Sequence, residues 1–126
     1  MSIQRIQPGK RLSAAVVHGD TVYLAGQIAG DPSADVKGQT QQILKKIDDL
    51  LAAAGTSKSK LLSATIWLAD MRYFEDMNSV WDAWMDPANP PLPTAMNFPF
   101  QFCVGSQSAI LMSESGVGLR TSFTWQ

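Results

Sequence analysis

Cysteine is almost missing from this chain of 126 residues: Cys103 stands alone. No intrachain disulfide framework is possible, which fits a reducing compartment. Histidine is equally scarce. With His18 as the single imidazole there is no Cys/His cluster, so a structural zinc site is excluded and neither metal nor other cofactor is expected. Charge is sparse and balanced at a net −1, which leaves no basic footprint for nucleic acid or an anionic membrane surface. No apolar run approaches membrane-spanning length. Residues 1–11 carry charges without the apolar stretch of a secretory leader, so a cytoplasmic location is expected.

The remaining composition is that of a folded domain. With 45% apolar and 17% charged residues the chain is globular rather than disordered. Its length suffices for one core and one domain, residues 1–126, and not for two.

The stretch Thr21-Val-Tyr-Leu-Ala-Gly-Gln-Ile-Ala-Gly30 is the strongest strand signal. Val22, Tyr23, Leu24 and Ile28 favour strand, and apolar residues at both parities suit cover on both faces. Gly26 interrupts it. An isolated glycine inside a strand marks a bulge, a bend, or a close approach of ligand or backbone, so this end is either a sheet bend or a binding floor. Upstream, Ser13–Val17 and the following strand flank Gly19-Asp20, which predicts a two-residue hairpin with glycine first. His18 falls at that turn, in solvent. Residues 1–12, with Pro8-Gly9, read as a lead-in strand or arm.

Asp31-Pro32-Ser33-Ala34 is a loop, and Asp35 is placed to cap a helix from Val36. Ile43, Leu44, Ile47, Leu50 and Leu51 recur at helical spacing as far as Ala54, where Gly55 closes it. Leu61–Leu68 reads as a buried strand after a polar connector. Asp70 is placed to cap a second helix, Met71 to about Met85, with Phe74, Met77, Trp81 and Trp84 as its inward stripe. The four prolines between Asp86 and Pro93 end it. Phe98, Phe100, Phe102 and Val104 alternate as in a strand over 97–104. Residues 109–112 and 119–125 offer two more, with Gly116 and Gly118 turning between them. The order β-β-α-β-α-β-β predicts an α+β domain with two helices on one face of a mixed sheet. The other face needs cover that so short a chain cannot supply, and oligomerisation is the economical answer.

These residues resemble the RidA/YjgF family, also labelled endoribonuclease L-PSP. The resemblance runs from Ser13 to Pro91. It rests on the order and spacing of Val22-Tyr-Leu-Ala-Gly-Gln-Ile28, Leu51-Ala-Ala-Ala-Gly55, Ala64-Thr-Ile-Trp-Leu-Ala-Asp70, Phe74-Glu-Asp-Met-Asn78 and Trp81-Asp-Ala-Trp84. It implies a chorismate-mutase-like fold assembled as a homotrimer, with ligand sites in clefts between subunits. It also implies hydrolysis of reactive enamines and imines to ammonia and a 2-keto acid. Position by position, Gly26 falls on the glycine whose backbone approaches the ligand's carboxylate or keto group. Ala25 falls on the small residue before it, and Asn78 on a cleft-lining helix asparagine. Leu12 falls near a tyrosine of the family.

Beyond Pro91 the pattern changes. The family's arginine, two residues further on, is Pro93 here, and a planar guanidinium that would grip a carboxylate bidentately is lost from that place. Of 21 charged residues only Glu114 and Arg120 lie after Pro93. Residues 92–126 are therefore either strongly divergent strands of the family or foreign sequence. Two functions follow: an enamine/imine deaminase, or a trimeric cleft that binds small carboxylic or keto acids without turnover. A nuclease is disfavoured by the few basic residues and the absence of a histidine-based acid–base pair.

Overall fold

A single mixed sheet with two helices on one face carries the structure. The computed structural model describes residues 2–97 except Asp20, Pro32, Ala69 and Pro91, with 117–124; Ser63, Thr65, Trp67 and residues 92–97 and 117–124 are described by their backbone. The strands are β1 (Ile3–Pro8), β2 (Ser13–His18), β3 (Thr21–Leu24), β4 (Gln27–Ile28), β5 (Leu61–Leu68), β6 (Leu92–Asn97) and β7 (Val117–Thr124). The helices are α1 (Val36–Ala53) and α2 (Phe74–Trp84). Sheet order is β1-β2-β3-β7-β5-β6, with β4 also on β7. All pairings are antiparallel except β5 with β6.

The predicted hairpin is present. β2 and β3 pair from Ala15↔Leu24 to His18↔Thr21, and Gly19, first in the turn, has φ 62, a left-handed value that glycine adopts without steric cost. α1 starts where Asp35 caps it, Oδ1 accepting from the Gly38 N–H at 2.8 Å. It ends with Gly55 at φ 80. There the Thr56 N–H reaches Leu51 O at 2.9 Å and the Gly55 N–H reaches Ala52 O at 3.1 Å, a pairing that satisfies the last carbonyls.

Ile43, Leu44, Ile47, Leu50 and Leu51 of α1 are buried with Val22 and Leu24 of β3, Leu61, Ala64, Ile66 and Leu68 of β5, and Met77 and Trp81 of α2. Each large apolar side chain of this cluster is worth about 1.5–3 kcal/mol of transfer from water. Phe74 and Trp84 pack partly buried at its margin, as the predicted stripe requires. The Trp84 indole N–H donates to Asp48 Oδ2 at 2.9 Å, tying α2 to α1.

Three expectations are corrected. The second helix begins as a 3-10 turn, Met71–Tyr73, and becomes α-helical only at Phe74, because Asp70 Oδ1 accepts from Arg72 N–H, two residues on, at 2.9 Å. That short reach closes a tight turn. Gly118 lies inside β7 rather than in a turn, paired with Ile28 and Trp67. A strand occupies Leu92–Asn97, parallel to β5. The strands expected at 98–104 and 109–112, with Gly116, lie outside the described residues. Pro93 stands on β6, the last of the described strands in the sheet order, and an edge strand is where a missing N–H is tolerated.

Candidate functional site

Gly26 sits in a bulge-like break of the ladder between β3, β4 and β7. β3 pairs with β7 as far as Tyr23↔Ser122, and β4 resumes at Gln27↔Leu119. Between those pairs Leu24, Ala25 and Gly26 face only Thr121 and Arg120, so one extra residue is inserted. Counted inward from both sides, Ala25 and Gly26 together stand opposite Arg120. One extra residue exchanges the faces of everything after it. Val22 and Leu24 are buried in the core before the bulge; after it the even-numbered Ile28 emerges on the outer face, 41% exposed. Gly26 thus lies at an interruption of the ladder, as a glycine inside a strand pattern leads one to expect.

On its other side the ladder continues one residue further, the Ala25 N–H donating to Ala14 O at 2.9 Å. The Gln27 amide reaches back to Ala25 O at 2.9 Å. Gly26 is half-buried, and its N–H and C=O have no hydrogen-bond partner among the described residues. The chain beyond is clamped onto α1: Lys46 Nζ donates to Ile28 O at 2.8 Å, and Gln42 Oε1 accepts from the Asp31 N–H at 2.9 Å. The Asp31 carboxylate is held below its usual range by the Ser33 hydroxyl and then by the Ser33 N–H, which fixes the loop entering α1.

The β1–β2 connection lies at the same end of the sheet as the bulge, since Pro8↔Ser13 is the last pair of that hairpin. It is closed by the Gly9 N–H donating to Leu12 O at 2.7 Å, and Leu12 is 67% exposed. Ala25 and Gly26 are thus one element. Asn78 is half-buried on α2, next to the buried Met77, in the helix layer rather than the sheet. Glu114 lies outside the described residues. Arg120 lies within β7, between the positions paired with Tyr23 and with Gln27, a backbone neighbourhood that depends on long-range strand pairing.

Comparisons with known proteins agree with this architecture. A model of the endoribonuclease L-PSP family matches residues 2–110. A RutC family protein of Haemophilus ducreyi is 43% identical over 89 residues, covering 71% of this chain and 76% of its own. The crystal structure of a YjgF family member from Neisseria meningitidis superimposes with TM-score 0.85 at 26% identity, over 100% of this chain and 97% of that one. A Pseudomonas aeruginosa protein of known structure gives TM-score 0.84 at 30% identity, over 99% and 100%. The chain belongs to the endoribonuclease L-PSP family, which includes the RutC and YjgF proteins. The family match extends past Pro91 to residue 110. Among the described residues no helix is long and apolar enough to cross a membrane.

Proposed function

We propose that this chain hydrolyses small enamines and imines of the 2-aminoacrylate type to a 2-keto acid and ammonia, as a homotrimer with its sites in the clefts between subunits. The observation that carries the reading is the Ala25–Gly26 bulge. It offers an N–H and a C=O without partners among the described residues, beside a position with no side chain to obstruct a ligand. In the imine tautomer, water adds to the C=N carbon and the resulting amino alcohol expels ammonia, leaving the keto acid. The role assigned to the Gly26 backbone is to hold the ligand's carboxylate or keto oxygen, so that positioning supplies most of the acceleration. Asn78 is assigned to the same cleft from the helix layer.

Uncovered surface supports the assembly part of this reading. Tyr23, Ile28 and Leu62 stand on the sheet face away from the helices, with Tyr23 48% and Leu62 51% exposed, and a patch of this kind favours association. Pro93, where the family carries an arginine, favours the second reading, a cleft that binds keto acids without turnover.

The test is pyruvate formation from 2-aminoacrylate, measured against the spontaneous rate. Turnover that Gly26→Val abolishes and Asn78→Ala weakens, the latter by about 0.5–1.5 kcal/mol, supports the deaminase. A melting temperature raised by pyruvate without turnover identifies the binder. If neither ligand effect nor turnover is seen, both readings fail.

A further inference from the structure

We propose that Gln27 is a positioning residue: its side-chain amide sets the direction in which the Gly26 N–H meets the ligand's carboxylate or keto oxygen. This deepens the function proposed above and rests on it. The support begins with the peptide group between Ala25 and Gly26. It is trans, as every described peptide is, so its C=O and N–H share one plane and point in opposite directions. Whatever holds Ala25 O therefore aims the Gly26 N–H. The holder is Gln27, whose Nε2 donates to Ala25 O at 2.9 Å.

A holder is needed because the sheet releases this carbonyl. The Ala25 N–H donates to Ala14 O, but no bond from the Ala14 N–H to Ala25 O accompanies it among the described residues. The residue that follows is glycine, which accepts φ of either sign. A peptide group in front of glycine is therefore free to rotate, the rotation that separates type I from type II turns. Here one orientation is selected, and Gly26 does not take the positive φ seen at Gly19 and Gly55. The strut is itself well held. Gln27 is half-buried, its backbone pairs with Leu119, and Lys46 Nζ holds the next carbonyl, Ile28 O, at 2.8 Å. A side chain fixed at base and tip passes on position without adding a mobile joint. The contact also demands a neutral donor. An ionised carboxylate in the same place only accepts, and would leave the carbonyl oxygen without its partner.

The experiment measures pyruvate binding by calorimetry on the unmodified chain, Gln27→Leu and Gln27→Glu, with assembly followed by sedimentation and isotope-labelled glycines by NMR. In the unmodified chain pyruvate should move the Gly26 amide signal. Gln27→Leu should weaken pyruvate about ten-fold and keep the assembly. Gln27→Glu should show a similar loss at neutral pH. It should then regain affinity, relative to the unmodified chain, as the pH falls toward about 4.5 and the protonated carboxyl again donates to Ala25 O. A loss confined to Gln27→Glu marks plain repulsion of the ligand's carboxylate and overturns the role, while the proposed function stands. A loss that appears only with dissociation of the assembly overturns it too. Where Gln27→Leu fails to fold, Gln27→Glu decides, and no recovery on acidification overturns the role. Failure of the unmodified chain to bind pyruvate, or binding that leaves the Gly26 signal unmoved, removes both the proposed site and the role built on it.

Discussion

The two faces of the sheet are built from the same strands and treated in opposite ways. On the helix side, Val22, Leu24, Ala64, Ile66 and Leu68 are buried with α1 and α2 into one continuous core. On the other side, Tyr23, Ile28 and Leu62 remain about half exposed, although they are as apolar as their neighbours. One chain therefore completes one face. The difference separates two tasks: the covered face secures the fold, and on the function proposed above the uncovered one meets other copies of the chain.

That contrast is sharpest as a pair of truncations, and these carry the largest expected effects. Ile66→Ala, 2% exposed, should lower unfolding free energy by about 2–5 kcal/mol through lost transfer and a residual cavity. The loss should be the same at any protein concentration. Leu62→Ala should change an isolated subunit by no more than about 0.5 kcal/mol, so any larger effect must fade on dilution as the assembly dissociates. Urea titrations at two concentrations separate these outcomes. A Leu62→Ala loss independent of concentration would break the comparison.

A smaller effect tests the join between the helices. Trp84→Phe keeps the ring and removes the N–H that Asp48 accepts, and should cost about 1–2 kcal/mol because the acceptor is charged. If urea unfolding shows no loss, packing alone holds α2 on the covered face. Smallest of all is the turn before α2. The Arg72 N–H, and then the Arg72 side chain, hold the Asp70 carboxyl below its ordinary 3.8. A depressed folded value stabilises above the unfolded one and is lost as pH falls through the folded value. The stability gap between the unmodified chain and Asp70→Ala should therefore be present at neutral pH and close below about 3.8. A gap that persists unchanged at pH 2 would count against the cap.

Much of the covered face was legible because its signals are local. Asp35 and Gly55 bracket α1 with capping chemistry, and the spacing from Ile43 to Leu51 states which side is buried. Leu61–Leu68 declares itself by a short apolar run. The turn at Met71–Tyr73 was not legible, since the same Asp70 caps a 3-10 turn or an α-helix and only the hydrogen bond decides. β6 was hidden for a different reason. Leu92–Asn97 lacks alternation, and pairing with β5, rather than propensity, makes it a strand. For the site, Gly26 announced a bulge by being a glycine among strand formers. Which strand lies beside it could not be read, because nothing in the order of residues states that β7 lies between β3 and β5.

That central place of β7 has a consequence for the timing of folding. Before β7 leaves the ribosome, the described strands form two pieces, β1-β2-β3 and β5-β6, with no sheet pairing between them, and β3 and β5 each lack the neighbour that β7 will supply. Every described strand that β7 joins has already been synthesised. The helices can bring the pieces together, but closing the sheet requires a late segment to enter between two early ones, a contact of high sequence separation that forms slowly. The nascent chain is therefore most exposed to wrong pairing just before its seventh strand arrives.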